Sequence, residues 1–104
     1  MALFFMFGKY TQESLNNITA KRTQQAVGVI EKLDGQVTAM YAMLGPHDLV
    51  LIVNLPGVNE AIEASIALSK LTGIGFTTCP VLPVDRFDHI IEVDLRKYIG
   101  NEKP

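Results

Sequence analysis

The sequence is poor in the residues that crosslink small proteins or attach them to charged partners. Of its 104 residues one is cysteine, none is tryptophan and 19% are charged. A single cysteine forms no intramolecular disulfide and supplies no multi-cysteine zinc site. The 9 Lys and Arg residues are outnumbered by 11 Asp and Glu, which argues against the basic surface of a nucleic-acid module. No apolar run approaches the roughly 18 residues of a membrane-spanning helix. We expect neither a nucleic-acid nor a membrane partner.

The apolar start of the chain, Met1 to Phe7, has no basic residue ahead of it. A secretory signal needs a positive start, about 7–15 apolar residues and a cleavage site with small residues. We therefore interpret this run as the first strand of the mature protein. A lone thiol without an export signal favours the reducing cytoplasm.

Hydrophobic residues make up 48% of the chain, which is too many for a disordered protein. Their spacing predicts strands at 2–10, 36–44, 49–55 and 74–82. It also predicts helices from Thr11 to Asp34, from Asn59 to Thr72 and after Pro83, with Gly35 as a left-handed cap. Poor helix formers near Asn17 predict a break or kink early in the first helix. The length predicts one domain, 1–104, with a frayed tail over about 100–104.

The order of these elements predicts an α+β fold with a split βαβ arrangement. Right-handed crossovers and a hairpin between the second and third strands place the first and third strands in the centre of an antiparallel sheet. Pro80 lacks the N–H that an inner strand donates, so the fourth strand is expected at an edge.

Both faces of the predicted sheet are apolar, because large side chains occupy odd and even positions alike. In the first strand Leu3, Phe5 and Phe7 share one face, opposite Ala2, Phe4 and Met6. In the second, Val37, Ala39, Tyr41 and Met43 are expected on one face, and in the third Val50 and Ile52 oppose Leu49, Leu51, Val53 and Leu55. Two crossover helices cover only one face, and the other exceeds the apolar patch of a typical monomer. We predict that a second copy covers it in a two-fold homodimer. The alternative is the C-terminal helix folding over it as a lid.

Three stretches resemble the GYD domain family: residues 8–13 (GKYTQE), residues 44–50 (LGPHDLV) and Leu55–Pro56. Gly45 and Asp48 match the family signature of Gly, a variable residue, Tyr and Asp, whereas His47 stands where Tyr is usual. The resemblance implies a ferredoxin-like βαββαβ sheet with a C-terminal helix, paired as a dimeric α+β barrel. Superfamily members include small oxygenases, isomerases, haem-degrading enzymes and effector-binding domains, so no particular reaction is implied.

Polar side chains near the strand ends are the candidates for chemistry. His47 and Asp48 could form a general acid–base pair, although Asp is also common in turns for structural reasons. Tyr10, Tyr41 and Asn54 are candidates for ligand binding, with burial of the aromatic ring as the simpler role of each tyrosine.

The C-terminal helix carries the candidate for a weak metal site. His89 is one turn from Asp85 and from Glu92, and His47 could add a further ligand. A solvated charged face is the simpler interpretation, and the sequence contains no HExxH, P-loop or GxGxxG motif. We expect no metal and no cofactor.

These patterns favour a small homodimeric ligand-binding or interaction module, with a small-molecule pocket between sheet and helices. The alternative is a cofactor-independent oxygenase or isomerase, in which His47 and Asp48 act on a substrate oriented by Tyr10 or Tyr41. A third hypothesis is a subunit that only assembles into larger rings.

Overall fold

The secondary structure follows the predicted order, with a break in the first helix. The computed structural model describes residues 1–100. The elements are β1 (Ala2–Lys9), α1 (Gln12–Asn16), α2 (Ala20–Lys32), β2 (Gln36–Ala42), β3 (Leu49–Leu55), α3 (Val58–Thr72), β4 (Gly75–Pro80), α4 (Val84–His89), a π-helical segment (Ile90–Asp94) and α5 (Arg96–Ile99). The predicted frayed tail, apart from Gly100, lies outside the described residues.

The strands form one antiparallel sheet of 4 strands in the order β2-β3-β1-β4. The first and third strands are central, and the fourth is an edge strand that ends at Pro80, as the missing proline N–H predicts. This topology confirms the α+β, ferredoxin-like βαββαβ fold.

Two threonines cap the helices on either side of the break between α1 and α2. Thr11 Oγ1 accepts the Ser14 N–H at 3.0 Å, and Ser14 Oγ accepts the Thr11 N–H at 2.7 Å. Thr19 Oγ1 accepts the Arg22 N–H at 3.0 Å. Each threonine starts its own helix as an N-cap, and Ile18, in the break between the two helices, lines a cavity.

The end of α2 differs from the expectation for Gly35. Asp34 takes the left-handed conformation, with φ 61°, which Asp adopts more readily than most residues. A Cβ on Gly35 would lie 2.6 Å from the carbonyl oxygen of Asn54. Gly35 is therefore needed for the close approach of β2 to β3 and not for a left-handed cap.

The core lies between the sheet and helices α2 and α3. Its largest fully buried side chains are Met6, Ile30, Leu51, Val53, Leu55 and Leu68. Phe4, Ala26, Ala61 and Ala64 complete the same cluster. The small alanines on α2 and α3 let both helices approach the larger side chains of β1 and β3 closely.

A β-bulge in β2 changes which of its residues share a face. The register shifts between Val37 and Ala39, so that Val37 pairs with the buried Val53 while Ala39 pairs with Ile52. The predicted face that joined Val37 to Ala39 and Tyr41 was wrong, because a bulge adds one residue to a strand and reverses its alternation.

The other side of the sheet, here called the open face, is largely apolar. The pairing places Phe5 between Ile52 and Cys79, and Phe7 between Val50 and Thr77. Leu3, Ala39, Tyr41 and Asn54 share this face. Since α2 and α3 pack on the opposite side, these two crossover helices leave the open face uncovered.

The C-terminal arm, residues 84–100, does not form the lid of the alternative hypothesis. Its helical segments contact mainly one another. The radius of gyration is 17.0 Å, whereas a compact domain of this length has about 13 Å. Large apolar side chains of the arm face solvent, with Val84 73%, Phe87 54%, Ile91 55% and Tyr98 80% exposed. The arm thus adds apolar surface and covers little.

The charged side of the arm gathers around Asp94. Arg86 Nη1 lies 2.7 Å from Asp94 Oδ2, and His89 Nε2 lies 3.4 Å from Asp94 Oδ1. The hydrogen bond from Arg86 holds the pKa of Asp94 below its ordinary value. His89 is thus paired with Asp94, and within residues 1–100 no group of three or more His, Cys, Asp or Glu side chains is arranged to hold a metal ion.

Over the same described residues, no helix has both the length and the apolar character to cross a membrane.

Candidate functional site

Asp48 ties the turn between β2 and β3 to the end of β1. Its carboxylate Oδ2 accepts the Tyr10 N–H at 2.9 Å. Its own N–H donates to the carbonyl of Gly8 at 2.9 Å, and its carbonyl accepts the Met43 N–H at 2.8 Å. These bonds give Asp48 the structural task expected of a turn aspartate and hold its negative charge beside Tyr10.

Tyr10 stands between two cavities at this end of the sheet. The outer cavity, of ≈ 360 Å³, is lined by Tyr10, Asp48, Leu15 and Met43 among others. Burial, followed by the negative charge of Asp48, raises the pKa of Tyr10 above its ordinary value. The phenol is therefore protonated at neutral pH and able to donate a hydrogen bond.

The inner cavity, of ≈ 70 Å³, lies between the sheet and α2. Its apolar wall comes from Met40, Leu49, Leu51, Ile74 and Phe76, and its rim from Tyr10, Ile18, Thr19, Arg22 and Thr23. The break between α1 and α2 leaves this end of the sheet without a full helical turn above it. The cavity therefore opens where an unbroken helix would have closed it.

His47 lies on the open face of the sheet. Its ring centroid is 5.0 Å from that of Phe7, which is 6.2 Å from that of Phe5. Asp48, the next residue, instead contacts Tyr10, and His47 lines neither the inner nor the outer cavity. The structure thus separates the two residues of the candidate acid–base pair.

Tyr41 and Asn54 also lie on the open face. Tyr41 pairs with Val50 and is 59% exposed. Asn54 Nδ2 donates to Thr38 Oγ1 at 3.2 Å. Along β3 it lies four residues beyond Val50, about 13 Å away at the rise of a strand. The candidate ligand residues are therefore divided, with Tyr10 at the cavities and the other two on the open face.

A known protein family matches this chain over most of the fold described above. The family model of the GYD domain matches residues 4–91, a range that includes the rest of β1, all later strands and α1 to α4. The chain belongs to the GYD domain family. The resemblance inferred from the stretches around Gly8 and Gly45 is thereby confirmed.

Among solved structures, this GYD domain is similar to the leucine response regulatory protein (LrpA) of Mycobacterium tuberculosis, with a TM-score of 0.53 and 11% sequence identity. The similarity covers 79% of this chain and 51% of the regulator, so the chain spans about half of the regulator's length. At this identity the likeness shows the ferredoxin-like fold alone. No curated protein matches significantly.

Arg22 is a cavity residue of this GYD domain that the sequence analysis missed. It lies in the first turn of α2, and its Nη1 donates to the carbonyl of Leu71 at the end of α3. A cation near a helix N-terminus opposes the helix dipole, and the first turn of α2 has no acidic residue to offset it. That local conflict was the available signal, because such conflicts concentrate at functional sites.

An Asp48→Asn variant of this GYD domain tests the electrostatic link to Tyr10. We expect the pKa of Tyr10 to fall toward 10.0 while staying above it, since burial is the larger cause of the shift and remains. A pKa that is higher in the folded than in the unfolded state stabilises the fold at pH below the unfolded-state pKa. This stabilisation is lost as the pH rises through the folded-state pKa. The variant should therefore lose less stability at alkaline pH.

Absorbance titration of tyrosinate measures this shift in a Tyr41→Phe, Tyr98→Phe background, which leaves Tyr10 as the reporter. A matched Asp34→Asn variant, at the distant end of α2, should leave the titration unchanged. If Asp48→Asn has as little effect as this control, the carboxylate does not influence the phenol.

Proposed function

We propose that this GYD domain is a homodimeric ligand-binding or interaction module, formed by a single domain over residues 1–104 and working in the cytoplasm. The observation that carries the proposal is the uncovered open face, with Phe5, Phe7 and Ile52 in its middle. Large apolar side chains left in water cost about 1.5–3 kcal/mol each. A second copy of the same face covers them by a two-fold operation.

Other features support pairing of two copies. The arm projects from the domain and leaves the open face uncovered, while its own exposed side chains enlarge the apolar surface. Patches beyond about 300–600 Å² are unusual on monomers. Membership of the GYD family agrees with this, because the family resemblance implies a dimeric α+β barrel.

The inner cavity supports the ligand-binding part of the proposal. It combines an apolar wall with a few polar groups at its rim, the usual composition of small-molecule sites. Tyr10 lies at that rim with a protonated phenol. A thermal-shift screen of small metabolites, followed by calorimetry of each hit, should find a ligand whose binding is weakened by Tyr10→Phe or by a larger residue at Thr23. If no compound binds, the module has no small-molecule ligand.

The alternative is a cofactor-independent oxygenase or isomerase at the hairpin turn. One observation favours it, which is the Asp48 carboxylate beside Tyr10 at the outer cavity. The separation of His47 weakens it, since that residue would have to act from the other side of the sheet. A bound compound turned over by the wild type but not by Asp48→Asn would favour the enzyme; a ligand bound without turnover favours the module.

Cys79 provides a direct probe of the open face. It is the single cysteine and pairs with Phe5 in the sheet register. A dimer should shield its thiol, so that reaction with a thiol reagent is slow at high protein concentration and accelerates on dilution. An Ile66→Cys variant in a Cys79→Ser background is the control, because Ile66 is 54% exposed on α3. Equal rates for Cys79 at all concentrations would contradict the dimer.

A further inference from the structure

The inner cavity adjoins a polar cleft of ≈ 390 Å³, and the two share Arg22 and Thr72. Ser14 and Asn17 contribute polar groups to the cleft. Thr72 Oγ1 is already used, because it donates to the carbonyl of Leu68 at 2.7 Å and accepts the Ile74 N–H at 3.0 Å. Arg22 therefore stands at the junction of an apolar and a polar space.

The charge of Arg22 is not balanced by a side chain in the described structure. Within residues 1–100 the ion pairs all involve Asp94, and Arg22 forms none. Its single hydrogen-bond acceptor is the neutral carbonyl of Leu71, while a guanidinium has five N–H donors. Lys70 and Glu13 also line the cleft and carry opposite charges. The half-buried guanidinium is thus left with free donors, and a carboxylate is a geometrically suited acceptor.

The inner cavity limits what can be attached to that carboxylate. Its wall of Met40, Leu49, Leu51 and Phe76 is apolar, and its volume of ≈ 70 Å³ admits only a short group. Thr23 Oγ1 already donates to the carbonyl of Thr19 at 3.3 Å. Thr19 Oγ1 accepts the Arg22 N–H as the cap of α2 and keeps its own O–H, so the phenol of Tyr10 and the hydroxyl of Thr19 are further donors at the rim. The site therefore offers one cation, two neutral donors and a small apolar pocket.

We infer that this GYD domain binds a small organic carboxylate, with its carboxylate on Arg22 and its short apolar group in the inner cavity. This inference rests on the proposed ligand-binding function and adds the chemical class of the ligand. It also explains why a cation stands in the first turn of α2. The cation alone opposes the helix dipole, whereas the anion that it binds interacts favourably with that dipole.

Calorimetry with isovalerate and its neutral amide, isovaleramide, tests the assignment. We expect isovalerate to bind the wild type more tightly than the amide does. Arg22→Gln should weaken isovalerate roughly 10- to 100-fold, the effect of losing a hydrogen bond to a charged group, and should leave the amide unchanged. Arg22→Lys should retain part of the affinity. Lys32→Gln, at the opposite end of α2, is the matched control and should have no effect.

A second variant covers the case in which Arg22→Gln fails to fold. Thr23 is exposed but lines the inner cavity, so Thr23→Leu narrows the cavity without overpacking the core. It should weaken isovalerate at least tenfold. Unchanged isovalerate binding in Arg22→Lys and Thr23→Leu would overturn the inference, as would equal binding of acid and amide by the wild type. If only neutral compounds of the metabolite screen bind, the carboxylate assignment fails while the ligand-binding function stands; if nothing binds, both fail.

Discussion

A Phe5→Asp variant is expected to run as a monomer at concentrations at which the wild-type chain is a dimer. Phe5 lies in the middle of the open face, between Ile52 and Cys79. In a two-fold dimer the substitution places two carboxylates in an apolar interface, and like charges there cost several kcal/mol. We expect the free energy of dimerisation to become about 3 kcal/mol less favourable, which is roughly a 100-fold rise in the dissociation constant. Light scattering coupled to size exclusion measures it.

Ile66→Asp is the matched control for this variant. It makes a similar change on the outward side of α3, where Ile66 is 54% exposed, and should remain dimeric. Circular dichroism of both variants separates loss of the dimer from loss of the fold. A folded, dimeric Phe5→Asp protein would exclude the open face as the interface.

Gly35→Ala should be strongly destabilising although it adds one methyl group. The new Cβ would lie 2.6 Å from the backbone oxygen of Asn54 and 2.5 Å from Leu55 Cδ2. Backbone atoms cannot move aside without disturbing the pairing of β2 with β3. We expect a loss of about 3 kcal/mol in the free energy of unfolding, at the upper end for overpacking, measured by urea denaturation.

Gly28→Ala makes the same chemical change in the middle of α2, where nothing lies within 4 Å of the added Cβ. It should stabilise the protein by about 0.5–1 kcal/mol, because alanine is the better helix former. Changes of opposite sign in the free energy of unfolding would support the role of Gly35 in the close approach of β2 to β3. Equal effects would mean that backbone entropy alone decides both.

The strand order of this fold could be predicted because local chemistry determines it. Pro80 can donate no ladder hydrogen bond, which favours an edge position, and the apolar runs of the first and third strands favour the centre. The hydroxyl group of Thr11 is a helix cap whose preference is intrinsic. In each case the signal lies within one short segment of the chain, so no knowledge of distant contacts is needed.

The features that escaped prediction depend on contacts between distant segments. The bulge near Thr38 follows from fitting β2 to β3, and its effect on Val37 is not encoded in the local alternation. A glycine at the end of a helix is typical of a left-handed cap, but Gly35 is required because the backbone of Asn54 approaches it closely.

The candidate site shows the same division between local and distant determinants. His47 and Asp48 are neighbours in sequence, yet His47 contacts Phe7 on the open face while Asp48 contacts Tyr10 at the cavities. Arg22 joins the site because its hydrogen bond to Leu71 brings together two helices far apart in sequence. Proximity in the sequence was therefore the wrong basis for pairing His47 with Asp48. The position of Arg22 at the cavity follows only from the folded structure.

Sedimentation equilibrium of the full wild-type chain over a wide concentration range tests the pairing of two sheets most directly. We expect the mass of two chains at micromolar concentration and reversible dissociation on dilution. A mass of one chain at every concentration, with the fold intact, would contradict it.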